Sequence, residues 1–585
     1  MDLVMDPSQA SSRERSQRAI DSEIGALKLR RNALSPISSL PLEVFEVIFS
    51  ILCLPGSTRG GNPDYHLARF RVSQVSHQWR EIALNYRFLW SHVDFTTLSS
   101  QSAAENAAEI LARAKSAPLY FEANFPNRDD VIGRRFKTFR KELQARIPYI
   151  RRLRASHDPV LLYEILEEIA SPAPTLEYLS LSASGVDWTG WQTYIRDTLF
   201  NGSAPRLSCL KLRYCNISWK SPLFKRLEYL KILTPAAEAR PNLAVWLDAL
   251  DEMPQLRTLI LHSASPIAPS FPFDVDRTVT LPSLTCLDIL ASTKDCALAL
   301  AHLDLPVLTC LYLTIISPKY DRQNSSDVQT LLKYVARHVH WSQDTRPLQT
   351  AIHHEYNRAD ILAWPVPNID LELQDSLTTA LPTGIALSFE RHYLSHRKPY
   401  EHIDILDTML AGLPMDGIMT LVSCVENASY RKRNLSTERF WLKLSQKWPL
   451  LQRVLLTPHS AHGFLVMLLE DNGEHKGPLF PSLTELGIIS LTTDEVSSLP
   501  LCRALMNRVE QGVPVKTLDL RMCVQSYMDD FPKDWLRPFN DIGVEVLVSE
   551  FERDWEAREQ IKSMWKTVAR GPFVNFGDDK DDDRL

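Results

Sequence analysis

The chain predicts an α/β protein in two parts: a small helical module at the N-terminal end, then a curved repeat solenoid with parallel strands inside and helices outside. Three observations predict it. Residues 40–52 and 75–90 carry apolar side chains at the three-to-four spacing of a helix face. From residue 176 onward the pattern Pro-x-Leu-x-x-Leu-x-Leu returns at intervals mostly in the twenties to low thirties of residues. The segments between its copies read as short helices, and 585 residues at 44% hydrophobic content can bury a sizeable core.

The first 35 residues open on a polar, charged stretch expected to be disordered. Ile20, Ile24, Leu27, Arg31 and Leu34 then alternate at four- and three-residue spacing, which predicts a short helix with a coiled-coil-like seam. Two heptads are too few to specify a dimer, so the seam is expected to pack back on the module that follows; dimerisation is the other reading.

Residues 36–92 form that module. Leu40, Val44, Val47, Ile48, Ile51 and Leu52 share one face of a helix that has Pro41 in its first turn and Glu43 where the helix dipole favours a carboxylate. Leu54 to His66, with Gly56, Gly60, Gly61 and Pro63, reads as an inserted flexible loop, tolerated because closure entropy grows slowly with length. Val75, Trp79, Ile82 and Tyr86 restart the helical period, and Leu89-Trp90 closes the unit. So few helices bury too little surface to be stable alone, and a partner or an attached domain must cover the rest. A helical cap on a larger domain, with no partner, fits the same pattern.

The order Leu40-Pro41-Leu42-Glu43-Val44, an Ile/Leu-rich turn, Val75-Ser76-His77-Gln78-Trp79-Arg80 and Leu89-Trp90 resembles an F-box. The resemblance implies docking on a Skp-type adaptor, which joins a cullin scaffold, while the rest of the chain captures a substrate. Carried over by position, it implicates Leu40, Pro41, Val44, Ile48, Leu52, Val75 and Trp79 in the adaptor contact or its supporting core. Ser76 stands where the family usually has Cys, and the inserted loop is a second departure.

Residues 93–550 carry the repeats. Their leucine triplets are 176/179/181, 207/210/212, 227/230/232, 256/259/261, 284/287/289 and 308/311/313, with Ile at the last place in two of them; Ile150 and Leu153 are expected to open the series. After a less legible stretch from Lys319 to Trp448 the pattern returns at Leu451, Leu483 and, shortened, Val515. In that stretch, degenerate strands are expected at 368–373, 383–389 and 418–423, and a non-repeat insert stays open. Helices are expected at 160–170, 243–253, 327–339 and 501–512. One unit cannot bury its own leucines, so neighbours must stack. The pattern resembles the irregular leucine-rich repeats of fungal F-box proteins, of the kind common in basidiomycetes. Residues 551–585 predict a closing helix at 551–569 and a solvated acidic tail at 578–583.

A net charge of −6 gives no electrostatic footprint for nucleic acid or an anionic membrane. No apolar leader or membrane-length stretch occurs, so a cytoplasmic or nuclear location is expected. No phosphate-binding glycine loop, nucleophile elbow or His-Glu-x-x-His is present, so no catalytic residue, cofactor or metal is expected. The pairs His392/His396 and His459/His462 lack further ligands. Cys209, Cys286 and Cys310 share one slot of the repeat, and stacking is expected to bring the last two together as a structural ladder.

Within each strand the alternate leucines point inward, so the residues between them should face the inner sheet surface, where such scaffolds bind. The candidate substrate-facing residues are Tyr178, Lys211, Arg213, Tyr229, Lys231, His262, Tyr312 and Arg521. Lys211, Arg213 and Lys231 suggest a basic patch for an acidic or phosphorylated segment, with ordinary solvated variety as the alternative. The expected function is that of a non-catalytic substrate receptor of a Skp-cullin-F-box ubiquitin ligase; the alternatives are a non-degradative scaffold and a binding module without adaptor affinity.

Overall fold

The computed structural model describes residues 7–53, 65–98, 102–125, 130–183, 193–268, 275–317, 325–338, 349–355, 358–364, 384–391, 408–413, 415, 417–426, 438–469, 477–488, 498–520 and 533–548. The chain divides into two compact units, one built from the sequence up to Ile217 and one from Phe224 onward.

The first unit opens with α1 (Pro7–Ala33), α2 (Leu42–Cys53), α3 (Tyr65–Val72) and α4 (His77–Asn85). Helix α1 starts well before Ile20, because its polar first half is rich in helix-compatible Gln, Arg and Glu behind Pro7. Its seam does not pack back: Ile20, Ile24, Leu27 and Leu34 are exposed. The inserted segment also ends earlier than expected, since Tyr65 and His66 already belong to α3 behind the Pro63-Asp64 start signal; residues 54–64 lie outside the described residues.

Strands β1 (His92–Asp94), β2 (Leu119–Phe125), β3 (Ile150–His157), β4 (Tyr178–Ala183), β5 (Thr193–Ile195), β6 (Cys209–Arg213) and β7 (Cys215–Ile217) follow, with helices α5 (Ala103–Ala114), α6 (Asp130–Arg146) and α7 (Pro159–Glu168) between them. Pairing is parallel throughout, in the order β1, β2, β3, β4, β6, with β5 and β7 as a separate short pair. The series therefore begins at His92 rather than Ile150. β1 and β2 escaped the leucine pattern because aromatics, Phe95 and Phe121, supply their core contacts, stacking edge-to-face with ring centroids 5.1 Å apart.

The second unit holds β8 (Tyr229–Leu233), α8 (Leu243–Asp251), β9 (Thr258–His262), β10 (Val279–Thr280), β11 (Cys286–Ala291), α9 (Thr293–Ala301), β12 (Leu303–Asp304), β13 (Cys310–Ser317) and α10 (Ser325–His338). It continues with β14 (Gln349–Glu355), β15 (Arg358–Trp364), β16 (Gly384–Arg391), β17 (Thr420–Glu426), α11 (Glu438–Lys447), β18 (Arg453–Leu456), α12 (Pro458–Leu469), β19 (Glu485–Ile488), α13 (Ser498–Glu510), β20 (Thr517–Asp519), α14 (Lys533–Asp541) and β21 (Glu545–Leu547). Side-chain caps start two of the helices directly after strands or turns: Asn242 Oδ1 accepts from Val245 N, and Ser292 Oγ from Asp295 N.

Strands β8, β9, β11, β13 and β16 pair parallel in that order, and β17 to β21 continue parallel among themselves. Between the two runs sits the antiparallel β16–β15–β14 segment, whose last strand returns to parallel pairing with β17. This antiparallel segment lies within residues 319–448, the least legible stretch of the sequence. Register places Leu230, Leu259, Leu287 and Leu311 abreast, all buried, so the leucine ladder is the core seam. The expected strand at 368–373 and helix at 551–569 lie outside the described residues.

Candidate functional site

Helix α2 is apolar almost all round, so periodicity alone does not say which face the fold keeps. It keeps Phe45 and Phe49, both fully buried. Their rings meet Trp79 of α4 at centroid distances of 5.5 and 5.4 Å. Trp90 closes the bottom of this core: its indole Nε1 donates to the Ala83 carbonyl at 2.7 Å, and Arg113 lies over the ring at 4.4 Å. Polar links hold the helices in register. Gln78 Nε2 donates to the Ser38 carbonyl at 3.1 Å, and the Ser50 and Tyr86 hydroxyls hydrogen-bond at 2.8 Å.

Most of the apolar face read from the sequence is presented to solvent. Val44, Val47, Ile51 and Leu52 are 39%, 57%, 54% and 45% exposed, and they recur at the spacing of a single face. Leu42 and Val75 are exposed as well. Monomeric proteins seldom leave such contiguous apolar surface to water. The candidate adaptor residues therefore separate by role. Pro41, Val44, Leu52 and Val75 are exposed, Leu40 and Ile48 are half-buried at the edge, and the half-buried Trp79 belongs to the core. Phe45 and Phe49 were missed because their four-residue spacing fits a helix face as well as the chosen one does. Ser76, in place of the family's usual Cys, is the N-cap of α4: its Oγ accepts from Trp79 N at 3.2 Å.

A second candidate is the sheet face opposite the buried leucine seam. In the first unit, register aligns Arg152 with Tyr178 and Cys209, and Arg154 with Ser180 and Lys211; Ser182 aligns with Arg213. The Arg152 guanidinium carbon lies 4.0 Å from the Tyr178 ring centroid and Lys211 Nζ 5.5 Å from it. Tyr178 and Arg213 are half-buried, and Lys211 is only 6% exposed. Arg152 and Arg154 were missed, although they alternate with Leu153 and Ala155, and that period of two would have found them. At the edge of this face His92 and Arg154 flank Glu122 at 3.6 and 3.7 Å. Burial, and then the nearby Glu122 charge, raises the pKa of Asp94.

In the second unit Lys231 is half-buried and Tyr229 buried. His262 and Tyr312 correct the expectation of open, substrate-facing side chains, for both are buried. The cause is strand spacing: Asp288 stands directly opposite Tyr312, and its carboxylate meets His262 Nε2 at 3.2 Å, so neighbouring inner-face side chains cover one another. Arg521 lies outside the described residues. Cys286 and Cys310 are register partners, and the hydrogen bond between the two thiols, followed by burial, pushes the Cys286 thiol up. Among the described residues no group of three or more His, Cys, Asp or Glu is placed to hold a metal ion. His459 and His462 both sit on α12, and His392 and His396 lie outside the described residues. Among the described residues no helix is long and apolar enough to cross a membrane.

Residues 37–96 match the F-box-like family, the segment that holds the Phe45, Phe49, Trp79 and Trp90 core and the exposed face of α2. Comparison with curated proteins returned no match. The chain thus carries an F-box-like helical domain, followed by a mixed α/β region with a large, mostly parallel sheet.

Proposed function

We propose that the chain is the substrate-recognition subunit of a Skp-cullin-F-box ubiquitin ligase, in which the exposed face of α2 docks on the Skp-type adaptor. The observation that carries this reading is the apolar row Val44, Val47, Ile51 and Leu52, left uncovered on a helix whose opposite side is fully packed, inside the F-box-like match. Covering it would remove several large aliphatic groups from water, each worth roughly 1.5–3 kcal/mol when fully buried. The strand–helix units after it read as an irregular leucine-rich-repeat solenoid, supported by the parallel register and the abreast leucines, and its inner face is where a protein substrate would sit. Ubiquitin transfer itself belongs to other subunits, and the intracellular address follows from that machinery.

Co-purification tests the reading. Recovery of both adaptor and cullin with the full chain is the expected result, and targets should accumulate on it when the proteasome is inhibited. Adaptor without cullin would point to a non-degradative scaffold, and absence of both would overturn the proposal.

A further inference from the structure

Helix α1 carries an apolar seam that stays exposed. The sequence left two readings of that seam, packing back on the helical module or pairing with a second copy of the chain. The structure removes the first, because Ile20, Ile24, Leu27 and, just past the helix end, Leu34 all face solvent. It also lengthens the helix to 27 residues, about 40 Å at 1.5 Å per residue. A row of large aliphatic side chains on one face of so long a helix is the geometry of a two-helix pairing surface.

Charge decides the occupant and its direction. In a parallel pair of copies each seam residue meets its own equivalent, so two Arg31 guanidinium groups would stand together in the interface, where like charges repel. Turned antiparallel about a two-fold axis between Gly25 and Ala26, the same seam sets Ile24 against Leu27 of the second copy and Arg31 against Ile20, which the arginine stem can cover. The flanking residues then become complementary. Asp21 faces Lys28 of the second copy and Glu23 faces its Arg30, and the two-fold axis repeats both pairs. A parallel pair would match only Glu23 with Lys28. We infer that α1 is an antiparallel pairing helix and that a second copy of this chain covers it. The inference stands apart from adaptor docking, because it concerns a different helix and requires no ligase.

Sedimentation velocity of the full chain over a range of concentrations tests it. The mass should rise toward that of two chains as concentration increases. Ile24→Asp/Leu27→Asp should stay at the mass of one chain with an unchanged melting curve, because both side chains are exposed. Val44→Asp/Val47→Asp, on the exposed row of α2, should still pair. A native chain that stays monomeric, a pair that survives Ile24→Asp/Leu27→Asp, or one lost in Val44→Asp/Val47→Asp would overturn the inference. Direction has its own test. Asp21→Lys alone should weaken pairing at least about threefold, and adding Lys28→Glu in the same chain should restore it, since the antiparallel contact is then reversed in sign rather than lost. In a parallel pair Lys28→Glu would meet Glu23 and weaken association further, and that result would refute the antiparallel arrangement.

Discussion

His157 shows how much one side chain can couple the fold to pH. It is fully buried, stacked on Phe125 at 5.2 Å and flanked by Phe136 and Phe139, and neither ring nitrogen has a hydrogen-bond partner among the described residues. Burial lowers its pKa from 6.5 to about 3. Between those values the unfolded chain binds a proton that the folded chain does not. Its contribution is thus fully present above about pH 6.5 and is lost as pH falls toward 3, with a slope of at most about 1.4 kcal/mol per pH unit. Denaturant melts from pH 7 to 5 should show the first unit losing stability, and His157→Phe should flatten that loss; an unchanged slope would contradict the assignment. Backbone strain makes a second prediction at this scale. Thr234 and Ser263, each just past a strand, hold φ of 47° and 55°. The left-handed region is costly for Thr, a β-branched residue, so Thr234→Gly should be neutral or stabilising by up to about 1 kcal/mol in an equilibrium melt. Gly487 runs the other way: a Cβ there would press on the Cδ2 methyl of the buried Leu455, so Gly487→Ala should lower the melting temperature of the second unit.

Helix α2 and strand β11 define the predictions at the scale of elements. Trp79→Ala removes the ring that holds α2 against α4 and should destabilise the helical module by about 3–5 kcal/mol, read as an early transition in thermal circular dichroism. Leu287→Asp puts a carboxylate into the leucine seam and should unfold part of the second unit, whereas Lys231→Glu on the half-buried inner face should leave the melt in place. The reverse ranking would mean that the two faces of the strands have been exchanged. Much of this was legible in the sequence. Alternating leucines located β4, β6, β8, β9, β11 and β13, because a strand buried on one side writes its period directly into the chain. The helices after residues 159, 243, 325 and 498 were legible for the same reason. Three features were not. β1 is too short to show a period, and around it and β2 the aromatics Phe95, Phe121 and Phe125 fill places that leucine takes in the later strands. The antiparallel β14–β15 pair has no motif to announce it, since strand direction is not written in side-chain period. The orientation of α2 was hidden because residues on both its faces are apolar, and only the aromatic content of the Phe45/Phe49 side marks it as core.

The whole molecule joins an F-box-like helical module to a broad, mostly parallel sheet, and the two carry different kinds of surface. On α2 the surface is apolar, contiguous and exposed, which suits a permanent partner. On the sheet of the first unit it is recessed and polar, with Arg152 and Lys211 over the Tyr178 ring and Glu122 between His92 and Arg154. The site residues were correspondingly uneven in their legibility. Lys211 and Arg213 followed from strand alternation, whereas the burial of His262 and Tyr312 depends on which side chains stand opposite them across strands, and register is not visible in a single chain.

The central claim, that α2 docks a Skp-type adaptor through its exposed row, is tested most directly by measuring adaptor binding to the full chain by biolayer interferometry, with Val44→Asp/Val47→Asp as the variant. Both side chains are exposed and outside the Phe45–Phe49–Trp79 core, so the melting curve should not move. The account predicts tight binding by the native chain and a loss of at least about a hundredfold in the variant, since two aliphatic contacts would be replaced by desolvated carboxylates. Undiminished binding by a fully folded Val44→Asp/Val47→Asp chain would contradict it.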